Sequence, residues 1–124
     1  MPSLVGSEMC IRDNLCAVID RNHLQISGNT EDVMHQDSLQ QRWAAFGWNV
    51  ITVNGHDYKA IAKAFADARA SKGKPTVLIA ETIKGYGSAV MENKASWHHH
   101  VPTQEEYDQI IADFAARKEA ALHE

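Results

Sequence analysis

The stretch that decides the fold is N-L-C-A-V-I-D-R-N-H-L-Q-I-S-G, residues 14–28. Residues 15–19 form an unbroken apolar run, which is typical of a strand covered on both faces in a parallel sheet. We therefore predict a strand that ends at Asp20, with Cys16 as one of its apolar residues. A polar loop centred on Asn22 follows at once. This asparagine should therefore lie at the carboxyl end of the predicted strand.

Two further strands are predicted, over residues 48–53 and 76–80, and an amphipathic segment follows each of the three strands. The order strand, helix, strand, helix, strand, helix indicates an α/β protein with a doubly wound parallel sheet in three layers. In such a sheet the loops that leave the carboxyl ends of the strands meet at one edge. The loops beginning at Asp20, Asn54 and Ile83 are therefore expected to converge.

Three helices are expected, and the residues predicted to cap them are Asp37 or Ser38, Asp57, and Thr103. Thr103 forms a capping box with Glu106, and Gly47 should end the first helix. Helical spacing predicts three apolar faces: Leu39, Trp43 and Phe46; Tyr58, Ile61, Ala62, Phe65 and Ala68; and Tyr107, Ile110, Ile111, Phe114, Ala115 and Leu122.

Three strands are fewer than a complete domain of this type contains, so we expect residues 14–124 to be the second half of a larger domain, truncated at its N-terminus. Residues 1–13, M-P-S-L-V-G-S-E-M-C-I-R-D, show no helical or strand periodicity. We predict a disordered leader there. It resembles translated sequencing-adapter read-through and would then be foreign to the natural protein; the alternative is a natural flexible terminus.

The composition excludes several classes of protein. The chain has 124 residues, 44% of them apolar and 23% charged, with a net charge of −4. It has no basic stripe, which argues against nucleic acid and anionic membranes as partners. No apolar run approaches the roughly 20 residues that a membrane-spanning helix needs, and no secretory signal is present. We expect a cytoplasmic protein with reduced thiols at Cys10 and Cys16.

The best candidate for a metal ligand is Asn22. Its amide oxygen and a backbone carbonyl two residues further on suit a hard cation such as Mg²⁺, which takes a few protein oxygens together with phosphate oxygens and water. The alternative is that Asn22 bonds its own turn, as loop asparagines commonly do. A zinc site at His98, His99 and His100 is not expected, because adjacent side chains point in different directions.

Five segments carry a resemblance to a known family: V-I-D-R-N-H-L-Q-I-S-G, A-F-G-W-N-V, V-N-G-H-D, G-K-P-T-V-L-I-A-E-T-I-K-G-Y-G, and M-E-N-K-A-S-W-H-H-H-V-P. In this order and spacing they resemble the transketolase family, over residues 14–124. The match is to the latter part of the thiamine-diphosphate-binding N-terminal domain. It is most similar to the separately encoded N-terminal subunit of some prokaryotes.

The resemblance implies a set of site residues. Asn22 stands at the family's metal-binding asparagine, and Leu24 where a backbone carbonyl completes that arm of the site. Ile26 falls at the apolar position that packs against the cofactor. Lys84 matches a lysine that neutralises phosphate charge near the cofactor. His98 would be the catalytic histidine beside the diphosphate and the reacting oxygens of the substrate.

The sequence departs from the family at two points. His99 replaces the usual glycine after His98, which puts the loop shape in doubt. The aspartate of the family's Gly-Asp-Gly motif also binds the metal, but the region where it is expected is here residues 1–13. The family's activating glutamate belongs to another domain or subunit. We therefore expect a fragment that is inactive alone.

The resemblance implies a transferase that moves a two-carbon ketol unit from a ketose phosphate to an aldose phosphate, in the pentose phosphate pathway of the cytoplasm. The cofactors would be thiamine diphosphate and Mg²⁺ or another divalent cation. The partner would be a C-terminal transketolase subunit or domain, in a dimer or heterotetramer. The alternatives are another thiamine-diphosphate enzyme, such as a deoxyxylulose-phosphate synthase, and a non-catalytic remnant.

Overall fold

The structure is a computed structural model that describes residues 11–36 and 38–123. These residues divide into two units. The sheet unit contains residues 11–21 and 36–82, except residue 37, and the loop-helix unit contains residues 22–35 and 83–123. Residues 11–13 are helical. The rest of the predicted leader lies outside the described residues, so its foreign origin stays a prediction.

In chain order the elements are β1 (Cys16–Arg21), β2 (Leu24–Gln25), β3 (Gly28–Asn29), α1 (Thr30–Val33), α2 (Leu39–Ala45), β4 (Asn49–Asn54), α3 (Tyr58–Ala70), β5 (Thr76–Glu81), a 3₁₀ helix (Ala95–His98) and α4 (Gln104–Leu122). None of the helices among the described residues combines the length and apolarity that crossing a membrane requires.

The sheet unit is built on three parallel strands in the order β1-β5-β4, which confirms the predicted α/β class and its parallel sheet. Arg21 and Asn54 both pair with Glu81, so the three strands end in register at one edge. The central strand β5 is covered on both faces, and Ile79 has no exposed surface. This burial explains its unbroken apolar sequence.

The prediction of two covered faces is wrong for β1. Its residues alternate between half-buried and exposed, and Val18 exposes 56% of its surface. Cys16 lies in the strand as predicted, but its side chain is also exposed. The helices of this unit make their main contacts with other strands: α2 and α3 contact β4, and α3 also contacts β5. Apolar sequence in β1 thus reflects a strand with one open face.

The predicted caps of α3 and α4 are both present. Asp57 accepts hydrogen bonds from the backbone N–H groups of Lys59 and Ala60, at 2.9 and 3.0 Å, and so caps α3. Ser38 makes no side-chain cap on α2 and has a left-handed backbone, with φ of 60°. The other predicted cap, Asp37, lies outside the described residues. The capping box of Thr103 on α4 is present.

Most residues of the three predicted apolar faces are not buried. Phe46 exposes 85% of its surface, although Gly47 ends α2 with a φ of 82° as predicted. On α3 the buried residue is Ala64, whereas three residues of the predicted face are exposed: Tyr58, Ala62 and Phe65. On α4 it is Ile110, and the rest of the predicted face is not buried: Tyr107, Ile111, Phe114, Ala115 and Leu122. Periodicity identifies an apolar face, but it does not show that anything covers that face.

Candidate functional site

The five candidate site residues all lie in the loop-helix unit. Asn22 begins a turn in which its side-chain Oδ1 accepts a hydrogen bond from the backbone N–H of Leu24, at 3.0 Å. His23 between them has a left-handed backbone, with φ of 60°. Asn22 therefore does bond its own turn. An amide oxygen has two lone pairs, so one remains for a cation.

Leu24 begins a short hairpin that sequence periodicity missed. Strand β2 pairs antiparallel with β3, with Leu24 opposite Asn29 and Gln25 opposite Gly28. The two-residue loop holds Ile26 at its tip, where 67% of its surface is exposed. A branched apolar side chain held at such a tip offers a surface that a bound apolar ring would cover.

The 3₁₀ helix Ala95–His98 lies beside this hairpin. Cα atoms of the helix and of β2 approach within 8 Å, although about 70 residues separate them in the sequence. The side chain of His98 is exposed, and its ring lies nearly perpendicular to that of His99, with centroids 4.5 Å apart. The structure thus brings the Leu24 and His98 segments together.

His100 has different contacts from the other two histidines. Its ring packs against Trp97, with centroids 4.5 Å apart, and its Nε2 lies 2.8 Å from Oε2 of Glu106. The contact with His100, and then the backbone N–H of Thr103, hold the pKa of Glu106 below its ordinary value. Among the described residues, no three His, Cys, Asp or Glu side chains are grouped to hold a metal ion.

Lys84 lies in a separate, tightly closed turn, and it is half-buried. Its carbonyl accepts a hydrogen bond from the N–H of Asn93, at 3.0 Å. Gly85 has a φ of 72°, and a Cβ there would lie 2.6 Å from Cβ of Met91. Only glycine fits this position, because both its backbone angle and its close packing exclude a side chain.

Sequence reasoning missed the polar residues behind the Lys84 turn: Ser88, Glu92, Asp113 and Arg117. The hydroxyl of Ser88 donates to Oδ2 of Asp113 at 2.6 Å. That hydrogen bond, then one from Gln109 and one from the N–H of Ala89, hold the pKa of Asp113 below its ordinary value. One sequence feature could have indicated this contact: the carboxylate of Asp113 directly precedes Phe114, which belongs to the predicted apolar face of α4.

Comparison with known proteins gives a consistent result. Residues 3–120 match the family described as transketolase, thiamine diphosphate binding domain. The chain is 47% identical over 107 residues to an apulose-4-phosphate transketolase subunit of Phocaeicola vulgatus, covering 86% of this chain and 38% of that protein. It is 35% identical over 101 residues to a 6-deoxy-6-sulfo-D-fructose transketolase subunit from a Clostridium species, covering 82% and 37%.

Solved structures show the same relationship. The transketolase of Campylobacter jejuni matches with a TM-score of 0.76 and 28% identity, over 83% of this chain and 16% of that one. A Pichia stipitis transketolase in complex with sedoheptulose-7-phosphate matches with a TM-score of 0.75 and 27% identity, over 83% and 15%. Fold and matches together define a thiamine-diphosphate-binding domain. The chain belongs to the transketolase family, and it spans less than two fifths of the two relatives named above.

Proposed function

We propose that this chain is part of a transketolase that transfers a two-carbon ketol unit from a ketose phosphate to an aldose phosphate. The observation that carries the proposal is that, in a chain of this family, the hairpin beginning at Leu24 lies close to the 3₁₀ helix that ends at His98, within one unit. We place the reaction in the cytoplasm and in the pentose phosphate pathway. The names of two relatives include apulose-4-phosphate and 6-deoxy-6-sulfo-D-fructose. A panel of ketose donors should therefore be tested.

Asn22 and Leu24 would hold the divalent cation, Mg²⁺ in the first instance, through the amide oxygen and the backbone carbonyl. The observed turn fits this role, because the hydrogen bond from Leu24 orients the Asn22 amide and leaves a lone pair for a hard cation. Ile26, exposed at its hairpin tip, would pack against the cofactor. Lys84 would offset the negative charge of the diphosphate.

When bound, thiamine diphosphate would supply the nucleophilic carbon of its thiazolium ring. His98 would hold or donate a proton at the reacting oxygen of the ketose donor, and its exposed ring leaves it accessible to a substrate. Its neighbour His99 places a second imidazole at this loop, 4.5 Å away between ring centroids. The chain's own contribution is thus to bind a cation, offset phosphate charge and move a proton.

We propose further that this chain makes only one arm of the cofactor site. Its 124 residues contain no Gly-Asp-Gly sequence, and the described residues contain no grouped carboxylate set for a metal. A segment carrying Gly-Asp-Gly and a C-terminal transketolase subunit or domain would complete the site, in a dimer or heterotetramer. We call the full chain together with these two parts the assembled enzyme.

Substitution of Asn22 tests the proposal. In the assembled enzyme Asn22→Ala should weaken Mg²⁺-dependent binding of thiamine diphosphate by at least about 10- to 100-fold, because a cation ligand is lost and loss of even a ligand's hydrogen-bond partner costs that much. Asn22→Asp should retain binding, since an oxygen remains. Isothermal titration calorimetry measures both.

Asn29 provides the matched control. Its Oδ1 accepts from the N–H two residues further on, Glu31, at 2.9 Å, just as Asn22 accepts from Leu24. Asn29→Ala therefore removes a comparable local hydrogen bond without removing a proposed ligand. Equal losses of affinity for Asn22→Ala and Asn29→Ala would show that Asn22 serves only its turn.

A further inference from the structure

A buried hydroxyl joins the Lys84 loop to helix α4. Ser88 exposes 1% of its surface, and its Oγ donates to Oδ2 of Asp113 at 2.6 Å. The same Oγ accepts from the backbone N–H of Val90, at 3.3 Å. The other carboxylate oxygen of Asp113 accepts from the Gln109 amide at 2.8 Å, which fixes the carboxylate on its helix. Because a hydrogen bond to a charged carboxylate is stronger than a neutral one, this contact can hold a loop in place.

A second set of contacts joins the same two segments. Oε1 of Glu92 accepts from the backbone N–H of Gly87 at 2.9 Å, and Nη1 of Arg117 on α4 lies 3.9 Å from that oxygen. The guanidinium of Arg117 also lies 4.2 Å from the ring centroid of Tyr86. Gly87 packs so closely on Phe114 that a Cβ there would collide with the ring. The loop therefore lies directly on α4.

These contacts extend to Lys84 through the backbone of the loop. The N–H groups of Met91 and Glu92 both bond the carbonyl of Ser88, at 2.9 and 3.0 Å, and the N–H of Asn93 bonds the carbonyl of Lys84 at 3.0 Å. The close approach of Gly85 to Met91 closes the loop on itself. A shift of Ser88 must consequently move the backbone that carries Lys84.

We propose that Asp113 is a positioning residue, which acts through Ser88 to fix the Lys84 turn and so directs the Lys84 ammonium toward the diphosphate. This inference rests on the proposed function, because it takes the diphosphate as the group that Lys84 meets. Asp113 itself touches neither cofactor nor substrate. Without its partner the buried Ser88 hydroxyl would lose its acceptor, and the loop would gain freedom.

The first test measures loop order in the full chain without cofactor. Ser88→Ala and Asp113→Ala each remove one partner of this hydrogen bond and should raise hydrogen exchange at the Gly87 and Asn93 amides by roughly tenfold, because about 1.4 kcal/mol corresponds to a factor of ten. Asp108→Ala is the matched control on the same helix, since Asp108 accepts a hydrogen bond from Gln104 within that helix. This control should leave hydrogen exchange at these amides unchanged. Ser88→Thr keeps a hydroxyl and should retain most of the wild-type protection from exchange.

The second test is a double-mutant cycle in the assembled enzyme, with thiamine diphosphate affinity as the readout. Ser88→Ala should weaken binding roughly tenfold when Lys84 is present, and by little in the Lys84→Met background, because the Ser88–Asp113 contact acts through Lys84. Equal losses in both backgrounds, or no loss in either, would overturn the inference while leaving the proposed function intact. If the wild-type assembled enzyme binds no thiamine diphosphate, the proposed function fails, and the inference falls with it.

Discussion

Asn22 accepts a hydrogen bond from its own turn, and its oxygen keeps a lone pair that a cation can use. The local turn and the proposed ligand role are therefore compatible. The sequence presented them as alternatives, because it shows which atoms a residue offers but not how many partners each atom takes. The hydrogen bond gives the amide a fixed direction, and this is the kind of preorganisation that binding a cation requires.

His98 and His99 allow a direct comparison between neighbouring side chains. His98→Ala should lower kcat for ketol transfer by the assembled enzyme about 100-fold, since a positioned general acid or base contributes on that order. His99→Ala should change kcat only a few-fold. Both side chains are exposed, so neither change should disturb a core. Comparable losses in the two variants, measured by steady-state kinetics, would remove His98 from its proposed role.

Asp113 should make the free energy of unfolding depend on pH. Its pKa in the folded chain is held below its ordinary value of 3.8, first by the hydroxyl of Ser88. The resulting stabilisation is present above that ordinary value, and it is lost as pH falls through the lower folded pKa. In urea unfolding of the full chain, wild type should exceed Asp113→Asn in stability at pH 7, and the difference should shrink toward pH 3.

Ser88→Ala serves as the reference for this titration, since it removes the first cause of the lowered pKa. In the Ser88→Ala background, the effect of Asp113→Asn on unfolding free energy should vary much less with pH. A difference that stays constant between pH 7 and pH 3 in the wild-type background would contradict the proposed titration of Asp113.

At the scale of elements, the sequence predicts what is local and misses what depends on distant neighbours. Asp57 caps α3 as predicted because the bond involves N–H groups two and three residues away. The hairpin of β2 and β3 escapes prediction because two-residue strands have no periodicity. The bond between Ser88 and Asp113 joins residues 25 apart, so it depends on tertiary packing.

The strands β5 and β1 should respond differently to the loss of a side chain. Ile79→Ala in β5 removes a side chain with no exposed surface and should lower the free energy of unfolding by about 2–5 kcal/mol. Val18→Ala in β1, at a residue that is 56% exposed, should cost less than about 1 kcal/mol. Urea denaturation of both variants measures this, and equal costs would contradict the assigned central and edge positions.

At the scale of the whole molecule, the 107 matched residues of this chain cover 38% of the Phocaeicola protein, at 47% identity. It carries the residues proposed for one arm of a cation and diphosphate site, Asn22, Leu24 and Lys84, together with His98. The presence of a parallel sheet was predictable, because parallel strands require crossover helices. Which apolar faces of the helices are buried was not predictable, because the sequence pattern of a helix does not identify what covers it.

If this chain contributes one arm of a transketolase site, it needs the other arm for catalysis. The most direct test is ketol transfer from a ketose phosphate to an aldose phosphate, with thiamine diphosphate and Mg²⁺ present, by the purified 124-residue chain and by the assembled enzyme. We predict no transfer by the chain alone and clear transfer by the assembled enzyme. Robust transfer by the chain alone, or none by the assembled enzyme, would contradict the proposal.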